Sequence, residues 1–276
     1  MIAIQGCVNN DNPADKKPAF KPAAKPKPEA KRTPLEAPTR GGIVRGKVVY
    51  DGDPPEMKLI DKIKIHNDRD FCLKSPPSEL HEQFWVVDKN TKAVANIVVW
   101  VEPPPGKFFV LTEEEKNRNG ELIRIDQPHC AFVPHVITLF PAYFDGAKEV
   151  KTGQELEIKN SAAIRHSIQW DESYQNHAYV FNIPPGETRK VVLNPQKTPI
   201  RIGCGDHGWM RGAMWLFDHP FHAVTRDDGT FEIKNLPTDV ELTFKAWHES
   251  RRAPFEVRKM TFAKGENPSV ELKINK

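Results

Sequence analysis

The chain has 276 residues, of which 38% are hydrophobic and 28% charged, an ordinary composition for a globular protein of one large or two modest domains. Residues 1–40 hold eight Lys or Arg and four acidic residues, which gives this segment a charge of +4. Because the formal net charge of the whole chain is +3, the remaining residues carry a net charge of −1. This distribution excludes a basic nucleic-acid-binding face. No segment approaches 18 consecutive apolar residues, so no transmembrane helix is predicted.

The first 40 residues predict a disordered tether. From Pro13 to Arg40 the sequence is rich in Pro, Lys and Ala and has almost no large apolar side chains to bury. Upstream, Ile4–Cys7 (IQGC) resembles the lipobox of bacterial lipoproteins, which implies a lipidated Cys7 that tethers the chain to a membrane. Only six residues precede Cys7, fewer than a signal peptide needs, so either the true start lies upstream or the match is coincidental.

The rest of the chain predicts an all-β fold. Short β-branched or alternating runs are separated by Gly, Pro and Asp clusters, as in sandwiches of short strands. The only helix-like patch is the charged stretch Thr112–Asn119, which fits a loop equally well. The predicted strands are Gly42–Tyr50, Ala95–Val101, His135–Leu139, Glu155–Lys159, Pro199–Ile202 and Ala213–Phe217.

Two pieces near the ends resemble one family of sandwich domains. Gly42–Val48 (G-x-V-x-G-x-V) is similar to the first strand of a transthyretin-like domain of the carboxypeptidase regulatory type. Val224–Pro237, which contains the hairpin-turn signal Asp228-Gly229, resembles the end of such a domain. Neither piece is long enough for a sandwich, so we expect one sandwich from residues 41–120 plus 219–276, with residues 121–218 inserted. The alternative is three serial pieces.

The inserted range contains a set of soft metal ligands. Cys204, His207 and Met210 form C-x2-H-x2-M before an apolar run, and His166 follows the strand Glu155–Lys159 upstream. A blue-copper centre needs two imidazoles, a thiolate and a weak axial thioether, and these four residues supply them. Structural zinc sites do not use Met, and the loop has no second Cys for a binuclear copper centre.

From about Ile123 to Phe217 the sequence resembles a cupredoxin of the plastocyanin and amicyanin kind, a Greek-key sandwich. That family takes one His from an N-S-x(n)-H segment after a strand and the other ligands from the loop that joins the last two strands. The resemblance implies one type 1 copper, with His207 as the partly exposed ligand through which electrons leave. The implied copper ligands are His166, Cys204, His207 and Met210.

Four neighbours of the ligands complete the predicted site. Ser167 stands where the family commonly has Asn, and Gly208 where it often has Pro, so we expect a softer loop than in relatives. Asp206 either adds negative charge near the metal or is a solvated loop residue. Trp209 either forms an apolar docking patch for a redox partner or packs within the loop.

Cys72 and Cys130 remain once Cys204 is assigned to copper and Cys7 to a lipid. An even remainder in an exported chain predicts a disulfide, and the alternative is two unrelated buried thiols. Some of the other histidines are either structural or form a second metal site, namely His66, His81, His129 and His135.

Together these patterns predict an exported one-electron carrier, periplasmic or at the cell surface, that acts as a monomer. Its partner would be a redox protein such as a cytochrome or a dehydrogenase. One alternative is a copper-storage or delivery protein without redox turnover. Another is a transthyretin-like module that binds carbohydrate or a protein. No nucleophile triad, Gly-rich phosphate loop or second copper cluster stands out in the sequence, so we expect no enzyme activity.

Overall fold

The computed structural model describes residues 31–36, 39–173 and 175–276. Cys7 and most of the predicted tether lie outside these ranges. Within them, none of the helices combines the length and the apolar character that crossing a membrane demands.

The described residues are mostly β-strands with two one-turn α-helices, which confirms the predicted all-β class. The strands are β1 (Thr33–Leu35), β2 (Thr39–Tyr50), β3 (Val98–Glu102), β4 (Lys107–Phe109), β5 (Leu122–Asp126), β6 (Val136–Leu139), β7 (Ala142–Phe144), β8 (Glu149–Lys151), β9 (Glu155–Lys159), β10 (His166–Trp170), β11 (Tyr179–Ile183), β12 (Thr188–Val191), β13 (Ile200–Gly203), β14 (Arg211–Leu216), β15 (His222–Val224), β16 (Thr230–Thr238), β17 (Glu241–Trp247), β18 (Glu256–Thr261), β19 (Gly265–Glu266) and β20 (Val270–Ile274). The α-helices are α1 (Arg69–Cys72) and α2 (Glu113–Lys116), and Asp61–Ile65 and Pro77–Glu79 form 3-10 helices.

Strands from the two ends of the described chain form one sandwich, called the flanking sandwich here. One sheet has the order β15-β3-β17-β18, and the other contains β16, β2 and β19, with β20 also paired to β2. Alternate residues of β2, such as Val44 and Val48, are buried between the sheets, as period-two side chains require. Strands β2 and β3 therefore find their partners after residue 221.

The turn at Asp228-Gly229 forms as predicted, but the predicted hairpin around it is wrong. Gly229 has φ +74°, and the Val48 N–H donates a 2.9 Å hydrogen bond to its carbonyl. However, β15 pairs with β3 whereas β16 pairs with β2. The turn therefore carries the chain from one sheet of the flanking sandwich to the other.

The intervening chain forms a second sandwich, called the central sandwich. A five-stranded sheet of order β11-β10-β13-β14-β6 faces a three-stranded sheet of order β12-β9-β5. Aliphatic side chains from both sheets meet in its core, including Ile125, Leu156, Ile168 and Met214. Because β10 and β13 are antiparallel neighbours through the Gln169–Gly203 pair, the start of β10 lies beside the loop that follows β13.

Aromatic side chains join the two sandwiches. Along β14, Met214 and Leu216 point into the central core, while the alternate residue Trp215 packs outward. The Trp215 ring lies 4.8 Å from that of Trp100 on β3 and 5.5 Å from that of Trp247 on β17, between ring centroids. The two faces of β14 therefore pack on different sides: one face lies in the core of the central sandwich, and the other lies in the aromatic contact with the flanking sandwich.

The chain between β2 and β3 leaves the flanking sandwich and packs on the central one. We call residues 59–81 the covering segment; its ends are joined by a backbone bridge between Leu59 and His81. Ile63 and Cys72 are buried in the central core, and Cys72 forms a disulfide with Cys130. The predicted range 41–120 assigned this segment to the flanking sandwich, but its buried side chains Ile63 and Cys72 lie in the other core.

The predicted tether, residues 1–40, extends too far at its C-terminal end. Strand β1 pairs in parallel with β4, and Leu35 is buried in the core of the flanking sandwich. Arg40 already belongs to β2 and forms an ion pair with Glu115. The β1–β4 pairing and the buried Leu35 attach this stretch to the flanking sandwich, although its composition resembles that of a linker.

Candidate metal centre

Three of the four residues predicted as copper ligands, His166, Cys204 and His207, meet at one end of the central sandwich, and Met210 is buried in the same loop as the last two. His166 is the first residue of β10, and Cys204, His207 and Met210 lie in the loop between β13 and β14. The Nδ1 atoms of His166 and His207 are 3.1 Å apart, and Cys204 Sγ is 3.8 Å from Nδ1 of His207. All four side chains are buried, both histidines completely. Two ring nitrogens and a thiol therefore face one another in a dry pocket.

Backbone hydrogen bonds hold the ligand loop in a closed form. The Met210 N–H donates to the His207 carbonyl at 2.9 Å, and the Cys204 N–H donates to the Met210 carbonyl at 3.2 Å. The antiparallel pairing of Gly203 with Arg211 continues this closure into the sheet. The strand partners thus fix the spacing of the three loop ligands.

Burial keeps both histidines neutral at pH 7. Desolvation, together with the neighbouring His207, lowers the pKa of His166 to about 4. Desolvation also lowers the pKa of His207, against its hydrogen bond to the Asp68 carboxylate, which raises it. Neutral imidazole is the form that binds a metal, because the charged ring has no free lone pair.

Ser167 links the two ligand-bearing segments. Its backbone N–H donates to Cys204 Sγ at 3.4 Å, and its hydroxyl accepts a hydrogen bond from the Gly205 N–H at 2.8 Å. Asp206 accepts a 2.6 Å hydrogen bond from Arg165, so a salt bridge also spans the two segments. Gly208 has open space where a Cβ would stand.

The expectation that His207 is partly exposed is wrong. His207 has no exposed surface because the covering segment lies over it. Asp68 Oδ2 lies 3.0 Å from His207 Nε2, and the His66 ring lies 4.8 Å from the His207 ring between centroids. Trp209 is half-buried, packs 5.1 Å from both of these rings, and donates its indole N–H to the Cys130 carbonyl at 3.1 Å. Its indole is therefore engaged in packing within the protein.

Asp68 is the site residue that the sequence analysis missed. It precedes His207 by 139 residues and belongs to a segment without strand or helix periodicity. The useful signal is indirect: the Cys72–Cys130 disulfide, with an S–S distance of 2.03 Å, anchors the segment four residues beyond Asp68.

The other histidines considered for a second metal site do not gather around His66. His129 contacts Glu79 at 3.3 Å, His135 bonds to Glu249, and His81 bonds to the Pro77 carbonyl at 2.6 Å. Each is thus used in a separate local contact.

The donor set fits copper. Two neutral imidazoles, a thiol and a buried thioether are the ligands that copper prefers, whereas structural zinc sites contain no thioether. Nε2 of His166 is buried without a hydrogen-bond partner among the described residues. The sulfur of Cys204 is the free thiol of the described chain.

No protein-family model matches the chain, and no curated protein does. Among solved structures, a copper-containing nitrite reductase from Thermus scotoductus SA-01 is similar at a TM-score of 0.28 and 14% identity, over 34% of this chain and 22% of that one. A purple cupredoxin from Nitrosopumilus maritimus is similar at a TM-score of 0.25 and 12% identity, over 34% of this chain and 97% of that one. An oxidised amicyanin variant is similar at a TM-score of 0.27 and 11% identity, over 34% of this chain and 81% of that one. The matched region thus spans about a fifth of the nitrite reductase.

Proposed function

We propose that this chain binds one type 1 copper ion and carries single electrons. The observation that carries the proposal is the pair of Nδ1 atoms, on His166 and His207, 3.1 Å apart beside the Cys204 thiol. These three groups would hold the metal, with Met210 as the weak axial ligand. Bound copper would supply a centre that gains and loses one electron.

The surrounding residues would tune such a centre. The Ser167 N–H that points at Cys204 Sγ would stabilise negative charge on the sulfur, and hydrogen bonds of this kind alter copper potentials. Complete burial of both histidines excludes water, and the β10–β13 pairing holds their positions fixed. A rigid site suits electron transfer because its ligands move little between oxidation states.

We propose further that the protein works outside the cytoplasm, in the periplasm or at the cell surface. The Cys72–Cys130 disulfide supports this, because structural disulfides persist in oxidising compartments. The redox partner would be a cytochrome or a dehydrogenase, and the chain would act as a monomer without catalysing a reaction. Lipidation of Cys7 and the transthyretin-like nature of the flanking sandwich stay predictions.

The test is to load the full chain with copper and record its absorption spectrum and voltammogram. We expect an intense orange-red band and a reversible one-electron potential. Cys204→Ser should lose the band, and Met210→Leu should shift the potential, whereas the distant Met260→Leu should change neither. A chain that binds zinc but gives no coloured copper complex would overturn the proposal.

A copper-holding protein without turnover is the second candidate. The covering of His207 favours it, because the family route for electrons runs through an exposed edge of that ligand, and here the edge is closed. A colourless protein that retains only Cu(I) and shows no reversible potential would favour this function over electron transfer.

A further inference from the structure

The side chain of Asp68 makes an unexpected contact with the candidate metal centre. Its Oδ2 lies 3.0 Å from Nε2 of His207, the nitrogen that faces away from His166. Asp68 lies on the covering segment, outside the loops that carry the four candidate ligands. The contact therefore joins the candidate centre to a separate part of the chain.

The chemistry of this contact fixes the tautomer of His207. An ionised carboxylate only accepts hydrogen bonds, so the proton of the neutral ring must be on Nε2. The lone pair is then on Nδ1, which faces the pocket shared with His166 and Cys204. In metalloproteins, a carboxylate on the outer ring nitrogen orients a ligating His and makes it a stronger donor.

The fold holds Asp68 firmly in this place. Its backbone carbonyl accepts the N–H groups of Phe71 and Cys72, both at 3.0 Å, and its own N–H donates to His66 Nδ1 at 3.2 Å. Cys72 is bonded to Cys130 in the central core. The carboxylate is thus fixed relative to His207 from both sides.

A second metal ion bound by His66, Asp68 and His207 is the rival explanation, because their donor atoms lie within 4.8 Å of one another. However, His66 Nδ1 already accepts the Asp68 N–H, and this contact occupies its lone pair. A shared His and one carboxylate then remain, too few for a closed site.

We propose that Asp68 is a positioning residue for copper, which holds His207 as an Nδ1 ligand and stabilises the oxidised ion more than the reduced one. This inference rests on the proposed copper function. Loss of an outer partner of this kind lowers metal affinity about 10–100-fold. If only the affinity for Cu(II) is lowered, the reduction potential rises by about 59 mV for each tenfold loss of that affinity.

The experiment compares Asp68→Asn and Asp68→Ala with Asp70→Asn. Asp70 is a matched control, because it lies two residues beyond Asp68, in the helix that Asp68 precedes, and its side chain is 90% exposed. Measurements are Cu(II) and Cu(I) affinity by competition, the potential, metal ions bound per chain, and the ¹⁵N NMR signals of His207 in the metal-free protein. Thermal unfolding of all variants shows whether they fold.

We expect both Asp68 variants to bind Cu(II) more weakly than wild type and to have a raised potential. Asp68→Ala, which removes the acceptor, should also lose the single Nε2-protonated His207 signal. Asp70→Asn should match wild type in each. The proposal is overturned if the Asp68 and Asp70 variants behave alike, or if wild type binds a second ion that Asp68→Ala loses. If wild type binds no copper, the proposed function fails, and with it the copper role; an NMR tautomer unchanged in Asp68→Ala would independently overturn the positioning role.

Discussion

Breaking the Cys72–Cys130 disulfide should release the covering segment from the metal centre. The bond joins residues 58 positions apart and ties the covering segment to the central sandwich. Closing a loop of this length removes about 14 cal/mol/K of entropy from the unfolded chain, or about 4 kcal/mol at 25 °C. We therefore expect the reduced protein to be less stable by roughly that amount.

Guanidinium unfolding of the metal-free protein, with and without a phosphine reductant, measures this difference. Reduced wild type keeps both sulfur atoms in place, so it separates the cross-link from the packing that a double Cys→Ala variant would also remove. At the same time, His207 should become reactive toward diethyl pyrocarbonate, while the buried His219, in the aromatic cluster with Phe217 and Phe221, should stay protected. A stability loss below about 1 kcal/mol, or a His207 that stays unreactive after reduction, would refute the reasoning.

Three further predictions concern the rest of the fold. Burial lowers the pKa of His222 to about 3 from an ordinary 6.5, so the unfolded chain binds a proton there that the folded chain does not. His222 should therefore lower the free energy of unfolding by up to about 1.4 kcal/mol per pH unit as pH drops from 6.5 toward 3, and His222→Leu should remove this share of the slope; an equal slope in both would contradict it. Gly46→Ala would place a Cβ 2.2 Å from the Val270 carbonyl oxygen, so thermal unfolding should show that the free energy of unfolding falls by about 2–3 kcal/mol. Gly208→Ala should leave the free energy of unfolding unchanged, because a Cβ there would meet no atom within 4 Å. After cleavage at an engineered protease site following Gly120, the two pieces should stay together on gel filtration until denaturant and reductant are both added, because strand pairing and a disulfide both join them. Release of a folded N-terminal piece in native buffer would count against the strand pairing.

The candidate ligands were predictable because their signal is local. Cys204, His207 and Met210 fall within seven residues, and their order and spacing carry the chemistry. His166 required only a strand pattern upstream. Strand positions were also predictable from alternation, as in β2 and β9. Short-range patterns of this kind need no knowledge of which strand pairs with which.

Long-range contacts account for what the sequence did not predict. Asp68 acts on His207 through a segment whose path depends on a disulfide and on the packing of Ile63, neither of which leaves a periodic pattern. The turn at Gly229 was visible, but the sheets that it connects were not. The burial of Leu35 could not be predicted either, because one apolar residue does not change the linker-like composition of the segment around it.

The order of the cysteines along the chain bears on how the metal centre is made. When a polypeptide is threaded from its N-terminus into an oxidising compartment, Cys72 and Cys130 emerge before Cys204. If Cys7 is lipidated, as the lipobox resemblance implies, oxidation in the order of emergence joins Cys72 to Cys130 before the Cys204 thiol arrives. Cys204 is then left reduced, and the chain reaches its folded form with a thiol still available for metal.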